Sequence, residues 1–174
     1  MSDINENIIE FTLLFNKYKK RLYNYVLKMT EDRMLTEDIV QDIFVKLYQN
    51  FDNLRFKTNV NYWLFTTARN EVYTFYRRKK IRTDQFNVES TDEIEVESKE
   101  SIENKIENNE VKELIQIELN NLPPDQREIF ILKEYSGLSY KEIATLMAID
   151  EELVKSRLYK ARQKLINRIS KLVE

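Results

Sequence analysis

The sequence contains no cysteine and no histidine, and it has only one glycine and two prolines among its 174 residues. The absence of cysteine excludes a disulfide framework and thiolate metal sites. The absence of histidine removes the commonest metal ligand and the usual general base of enzymes. Most hydrolase and metalloenzyme sites are therefore excluded, and the sequence shows no nucleophile–base pair and no phosphate-binding loop. We expect a protein that is not an enzyme and that needs no cofactor.

The shortage of glycine and proline also bears on the fold, because the tight turns of a sheet need such residues. Hydrophobic residues make up 42% of the chain, which is enough to bury a core, and the composition favours an all-α fold. The first residues are acidic and polar, and the apolar runs are as short as that from Ile129 to Leu132. This pattern predicts neither a signal peptide nor a membrane span, and it indicates a cytoplasmic protein.

Charge divides the chain into three parts. Residues 1–82 carry 15 Lys and Arg against 10 Asp and Glu, residues 83–110 carry 2 against 10, and residues 111–174 carry 11 against 10. The middle part is strongly acidic and polar with few large apolar residues, which is typical of a flexible linker. We therefore predict two small helical domains, residues 1–82 and 111–174, joined by an acidic linker over residues 83–110.

Two helices of the first block combine a core stripe with a polar or basic face. In the second helix, Thr36 is the predicted N-cap, and the apolar stripe faces away from a polar side that we first interpret as solvated. In the third helix, from about Asn61 to Arg82, a second stripe alternates aromatic rings with cations and ends in the run RRKK. This stripe consists of Tyr62, Phe65, Arg69, Tyr73, Tyr76 and Lys80. Such a stripe suits single-stranded nucleic acid, because rings stack on bases and cations meet phosphates. Burial of the same rings in a helical core explains them equally well.

The second block contains the only glycine, at Gly137, which fits the left-handed position just past the end of a helix. Ser139 and Glu142 have the spacing of a capping box, which begins a short helix with Ile143, Ala144 and Met147 as its predicted buried stripe. A turn at Ala148 and Ile149 follows, and Asp150 is the predicted cap of the last helix. The outer side of that helix is basic. These features predict a helix-turn-helix domain that binds duplex DNA, in preference to an ordinary helical hairpin with a solvated basic face.

Taken together, the two blocks resemble the extracytoplasmic-function group of bacterial RNA polymerase sigma factors. The resemblance is carried by EDIVQDIFVKLYQNF (Glu37 to Phe51), by NYWLFTTARNEVYTFYRRKK (Asn61 to Lys80), by LPPDQREIFIL, and by GLSYKEIATLM followed by VKSRLYKAR. It covers nearly the whole chain outside the acidic linker. Each segment alone is a moderate signal, and their order and their separation by an acidic tether make a strong one.

The resemblance implies three sets of site residues. The polar side of the second helix would bind the clamp of the largest subunit of core polymerase, through Asp38, Gln41, Asp42 and Lys46. The third helix and the loop before it would capture a flipped base of the minus-ten element on the non-template strand, through Arg55, Lys57, Asn59, Tyr62, Arg69, Asn70, Tyr73, Thr74, Tyr76, Arg77 and Arg78. The last helix would read the minus-thirty-five element in duplex DNA, through Lys155, Ser156, Arg157, Tyr159, Lys160 and Arg162.

The resemblance also implies contact with the flap of the second-largest polymerase subunit, and it allows an anti-sigma factor or another recruiting factor as a partner. Two alternatives stay open from the residues themselves. One is a helix-turn-helix regulator that binds duplex DNA without polymerase, although the sequence offers no evident dimerisation helix. The other is a polymerase-binding adaptor without DNA contacts, although the basic face of the last helix argues against it. The chain departs from the family pattern at Phe56, at Thr74 and in the acidic entry to the last helix, so the promoter sequence is not predicted.

Overall fold

The computed structural model describes residues 2–57, 59–85 and 106–173, and it describes the side chains of residues 6–54, 59–82 and 109–171. Most of these residues are helical, as predicted, and none of them lies in a strand. The helices are α1 (Ser2–Thr30), α2 (Arg33–Gln49), α3 (Phe51–Lys57), α4 (Val60–Gln85), α5 (Ile106–Asn120), α6 (Pro124–Phe130), a π-helix (Ile131–Tyr135), α7 (Tyr140–Met147) and α8 (Glu151–Val173). Within the described part, none of the helices has the length and apolar character that crossing a bilayer would require.

The two predicted blocks share one main hydrophobic core. Helix α1 packs against α2 and α4 of the first block and also against the π-helix of the second. Its inward side contributes Leu22 and Tyr25 to a cluster that continues through Phe65 of α4 into Leu132 and Leu138. A smaller cluster of Leu119, Leu122, Ala161 and Leu165 joins α5 to α8. Residues 86–105 of the predicted linker lie outside the described residues, and the division into two domains stays a prediction.

The start of α2 corrects one sequence-based prediction. The N-cap is Asp32, whose carboxylate accepts a hydrogen bond from the Leu35 backbone N–H at 2.9 Å. Thr36 is instead a fully buried residue inside the helix, where its hydroxyl donates to the Asp32 carbonyl at 2.6 Å. The helix therefore begins one turn earlier than predicted, because Asp32 supplies the cap first. The predicted apolar stripe is confirmed and consists of Ile39, Val40, Ile43, Phe44 and Leu47.

The predicted helix-turn-helix is confirmed in its local details. Gly137 has φ 67°, and the capping box between Ser139 and Glu142 is formed in both directions. Ala148 closes α7 in the left-handed conformation, and the Asp150 carboxylate accepts from the Leu153 backbone N–H at 2.7 Å. The buried stripe of α7 differs from the prediction in its last residue, since it consists of Ile143, Ala144 and Leu146, with Met147 only partly buried.

The π-helix was not predicted. The segment continues directly from α6, and its closing bond runs from the Ser136 backbone N–H to the Ile131 carbonyl over five residues, at 3.1 Å. The wider turn leads into Gly137, whose carbonyl accepts a hydrogen bond from Arg21 of α1 at 3.1 Å. Arg21 also donates to the Ser136 carbonyl, at 2.7 Å. The turn that carries the only glycine is therefore held by the first helix of the chain.

Candidate polymerase and nucleic-acid interfaces

The polar side of α2 is open to solvent. Asp38, Gln41 and Asp42 are exposed, whereas the Lys46 ammonium lies 3.2 Å from the Glu71 carboxylate of α4. The rigid apolar stripe on the opposite side of α2 fixes the direction of these side chains. Beside them, α1 and α2 form a groove of about 940 Å³, whose lining includes Phe11, Phe15, Gln41, Phe44, Val45 and Tyr48. This part of the surface thus joins exposed carboxylates to an apolar groove.

The aromatic stripe of α4 divides into exposed and buried members. Tyr62, at its beginning, is 41% exposed. Phe65 is 1% exposed and meets the Tyr25 ring edge-on at 6.1 Å, so this ring belongs to the core. Further along, Tyr73 and Tyr76 are half-buried. The interpretation of these rings as core is thus confirmed for Phe65, and the other members lie at the boundary between the two blocks.

Arg69 and Tyr73 converge on one carboxylate of the second block. Glu128 of α6 is fully buried, and one of its oxygens accepts from Arg69 Nε at 2.8 Å and from the Tyr25 hydroxyl at 2.9 Å. Its other oxygen accepts from the Tyr73 hydroxyl at 2.7 Å and from Arg69 Nη2 at 3.3 Å. We name this cluster of four residues the Glu128 node. A buried carboxylate is stable when its lone pairs are satisfied in this way.

The node also sets the protonation of its phenols. Burial, reinforced by the negative charge of Glu128, raises the pKa of Tyr73 to about 12. The same two causes raise the pKa of Tyr25 well above its ordinary value. Both hydroxyls therefore keep their protons at neutral pH and donate to the carboxylate, while the Arg69 guanidinium supplies the positive charge.

Tyr76 contacts the second block one turn further along α4. Its hydroxyl donates to the Met29 carbonyl and accepts from Arg127 Nη2 of α6 at 2.9 Å. Arg127 also donates to the Met29 carbonyl at 2.9 Å. The side chains Arg69, Tyr73 and Tyr76, which the sequence places in one stripe, are thus all engaged by residues 127 and 128.

The remaining predicted residues of α4 are more accessible. Asn70 is exposed, as are Arg77 and Arg78, and Thr74 accepts a hydrogen bond from Arg77 at 3.1 Å. Asn59 lies just before the helix, and its side-chain oxygen accepts from the Asn61 backbone N–H at 3.1 Å. The predicted Arg55 and Lys57 lie in α3, but their side chains are outside the described residues.

The outward side of α8 brings the predicted minus-thirty-five residues together. Lys155, Ser156, Tyr159 and Lys160 are exposed, and Tyr159 is exposed by 65%. The opposite side of the helix is held in the core by Val154, Leu158, Ala161 and Leu165. The amphipathic spacing predicted from the sequence is thus confirmed, and an accessible row of polar, aromatic and cationic groups results.

Three of the predicted cations on α8 have carboxylate partners. Lys155 lies 2.8 Å from Glu152, and Arg157 lies 3.0 Å from Asp125 of α6. Arg162 pairs with Glu134 of the π-helix. Hydrogen bonding to Glu152 raises the pKa of Lys155, so this ammonium remains charged. These pairs are at least partly exposed to solvent, and such pairs are weak enough for DNA phosphates to replace the carboxylates.

Sequence reasoning missed Glu128 and Arg21, which join the two blocks. A signal for Glu128 was present, because it precedes the inward residue Leu132 by four positions on one helical path and so lies on the buried side. No comparable signal marked Arg21, which looks like one more cation in a basic stretch of α1. Its partners at Ser136 and Gly137 are more than a hundred residues away.

The chain is similar to known proteins over most of its length. The sigma-70 region 2 family model matches residues 14–81, and the sigma-70 region 4 model matches residues 112–165. The ECF RNA polymerase sigma factor SigM of Bacillus subtilis is 30% identical over 155 residues, which cover 87% of this chain and 90% of that protein. The ECF RNA polymerase sigma-E factor of Escherichia coli K12 is 27% identical over 169 residues, which cover 94% of this chain and 88% of that protein.

Solved structures agree on the fold. The sigma factor RpoE from Bartonella quintana, in a complex with the anti-sigma factor NepR, has a TM-score of 0.71 and 24% identity, with 92% of this chain and 97% of that chain covered. The structure of CnrH with the cytosolic domain of CnrY has a TM-score of 0.63 and 19% identity, with 92% of this chain and 87% of that chain covered. With both sigma-70 regions present in order and a relative 30% identical along nearly its full length, this chain belongs to the extracytoplasmic-function group of RNA polymerase sigma factors.

Proposed function

We propose that this sigma factor uses three separate surfaces in the initiation of transcription by core RNA polymerase. The polar side of α2 binds the polymerase clamp, the stripe of α4 captures the minus-ten element on the non-template strand, and the outward side of α8 binds the minus-thirty-five duplex. The observation that carries this division is the helix-turn-helix, because α8 is anchored along one side and presents Lys155, Ser156, Tyr159 and Lys160 along the other.

The protein acts without catalytic activity of its own, since it contributes binding surfaces to the polymerase, and it works in the cytoplasm with its partners. In this proposal residues 1–82 form the unit for polymerase and strand binding, and residues 111–174 form the unit for duplex binding. Residues 83–110 form the acidic tether between them. Because both units take part in one reaction, an assay with the holoenzyme tests all three surfaces together.

Polymerase binding by α2 is the first testable part. Replacing the exposed Asp42 by arginine is expected to weaken assembly with core polymerase by about tenfold or more, because a reversed charge in a contact surface repels the partner that the wild type attracts. The measurement is the dissociation constant of the labelled chain and core enzyme by fluorescence anisotropy. The matched control is Glu6→Arg, which makes the same charge change at an exposed position of α1.

Helicity by circular dichroism should be the same in both variants and in the wild type. If Asp42→Arg assembles with core polymerase as tightly as Glu6→Arg does, the polar side of α2 is only a solvated surface and the assignment is wrong.

An apolar groove on the second block is a candidate site for the polymerase flap. Its volume is about 760 Å³, and its lining includes Ile115, Phe130, Tyr135, Leu165, Ile166 and Ile169. Arg162, a predicted minus-thirty-five residue, lies at the edge of this groove, and the other α8 residues of the groove lie further toward the carboxyl terminus than the remaining minus-thirty-five residues. A partner bound here therefore leaves Lys155, Ser156, Tyr159 and Lys160 accessible for DNA. An anti-sigma partner is a further part of the proposal, supported by the likeness to a sigma factor solved with NepR.

Promoter choice is the second testable part. The α8 amino terminus approaches the major groove, yet it carries Glu151 and Glu152, and the latter holds Lys155. We expect Glu151→Gln/Glu152→Gln to raise holoenzyme affinity for minus-thirty-five duplex by about fivefold, since a like charge near a phosphate costs roughly 1 kcal/mol in water. The wild type would then rely on the minus-ten element or on a recruiting factor.

The measurement is a duplex titration at low and at high salt, because an electrostatic effect should shrink as salt rises. The control is Glu113→Gln, at an exposed position of α5. Equal affinity of the double variant and the wild type at low salt would mean that both glutamates point away from the DNA backbone.

A further inference from the structure

The three proposed surfaces differ in their accessibility. Asp38, Gln41 and Asp42 on α2 are exposed, and so is the outward side of α8. On α4, by contrast, Arg69, Tyr73 and Tyr76 contact α6 of the second block. The conformation described here therefore leaves two surfaces free for their partners and engages three central side chains of the third.

The Glu128 carboxylate offers Arg69 and Tyr73 the same kind of acceptor that a phosphate of the non-template strand would offer. Arg69 gives two donors to the two oxygens of one carboxylate, which is the arrangement a guanidinium also uses with a phosphate. Tyr73 gives its hydroxyl to the same group, and the Arg69 guanidinium lies over the Tyr73 ring at 4.9 Å. The Arg69 donors that a phosphate would use, and one face of the Tyr73 ring on which a base could stack, are thus already occupied.

We propose that this packing is an autoinhibited state, in which Glu128 competes with the non-template strand for Arg69 and Tyr73 while the α2 and α8 surfaces remain open. The inference rests on the proposed role of α4 in strand capture. In this state the protein can meet core polymerase and the minus-thirty-five duplex, but it cannot hold unpaired minus-ten bases. Strand capture requires the two blocks to separate at α6.

Beside the shared hydrophobic core, the boundary between the blocks also contains polar contacts that can exchange with water. Asn61 donates to Glu142 at 2.7 Å, and Lys28 donates to Gln116 at 3.0 Å. Asn24 donates to the Tyr135 carbonyl at 3.1 Å. Water or a partner can replace such bonds at small net cost, whereas separation also exposes apolar residues of the shared core, which keeps the open state a minor population until a partner binds. The node is the part that water replaces least easily, since its carboxylate is fully buried.

The test uses the full chain, whose lack of cysteine allows two specific fluorescent labels. We place cysteines at the exposed positions Asn53 of α3 and Gln163 of α8, and we follow energy transfer between the labels. Glu128→Gln is expected to lower the transfer and to raise the affinity for a short single-stranded oligonucleotide from an opened promoter by about tenfold, a typical size for conformational coupling. Affinity for duplex minus-thirty-five DNA should not change.

Two further variants make the result specific. Tyr25→Phe removes one donor from Glu128 and leaves the residues of α4 unchanged, so it should shift both readouts in the same direction by a smaller factor. It replaces Glu128→Gln as the test variant if Glu128→Gln does not fold. Glu118→Gln is the matched control, because it breaks an ion pair with Arg168 that lies within the second block. Unchanged transfer and unchanged oligonucleotide affinity in either folded node variant would overturn the inference.

The proposed role of α4 is tested separately in the holoenzyme, where the α4 stripe must be free to hold the strand. There Arg69→Gln should weaken capture of the same oligonucleotide. If it does not, strand capture by Arg69 is wrong, and a change in energy transfer would then only report that Glu128 holds the blocks together. The two failures are thus distinguishable.

Discussion

Replacing Asn70, Tyr73 and Tyr76 together by alanine is expected to reduce promoter opening by the holoenzyme on the order of 100-fold. Each base stacked on an aromatic ring contributes about 1–3 kcal/mol, and two lost rings remove the energy that offsets unstacking of the duplex. Binding to closed duplex should change much less, because we assign it to α8. Permanganate reactivity of unpaired thymines measures the opening, and a gel-shift titration on duplex measures the binding.

The control for this experiment is the pair Tyr73→Phe/Tyr76→Phe. These changes keep both rings for stacking but remove the hydroxyls that bind Glu128 and the Met29 carbonyl. Opening by the phenylalanine variant should equal or exceed that of the wild type. If the alanine variant still opens promoters normally, the rings serve only to pack the two blocks together, and the role in strand capture is wrong.

Replacing Leu132 by alanine is expected to lower the free energy of unfolding by about 2–5 kcal/mol, the usual cost of a cavity at a fully buried leucine. The more informative readout is the only tryptophan, Trp63, which lies in α4 of the other block and packs against the same core. Because Leu132 and Trp63 belong to one cluster, urea unfolding followed by Trp63 fluorescence should shift together with the circular dichroism signal.

The control is Ile117→Ala at a side chain that is 56% exposed, where we expect almost no change in stability. If the Trp63 transition of the Leu132→Ala variant stays at the wild-type urea concentration while its helicity is lost at a lower concentration, the two blocks unfold independently. In that case the shared core contributes little to the stability of the first block.

Local rules predicted those parts of the fold that depend on nearby residues. The capping box at Ser139 and Glu142, the left-handed Gly137 and the cap at Asp150 each involve atoms within a few positions, so the residue types were sufficient. The same rules failed for Thr36, because Asp32 offered an equally good cap one turn earlier and no local feature ranked the two.

The sequence could not decide the role of the α4 stripe, because the deciding contacts are distant in the chain. Glu128 is 59 positions from Arg69 and 103 from Tyr25. A helix that packs on two sides carries apolar residues on both, and a surface for bases would look the same. Periodicity alone therefore left burial and nucleic-acid binding equally supported for Tyr73 and Tyr76.

The π-helix at Ile131–Tyr135 makes the packing of the second block sensitive to insertions and deletions in this segment. Each residue added to or removed from a helix turns everything beyond it by about 100° about the axis. A deletion between Glu128 and Gly137 would therefore swing α7 and α8 around relative to α1, and the Gly137 carbonyl would leave Arg21 while Glu128 stayed on its partners. Substitutions leave that angle unchanged. Sigma factors that pack in this way should thus tolerate changes of residue type at the solvent-accessible positions between these two residues, yet align there without gaps.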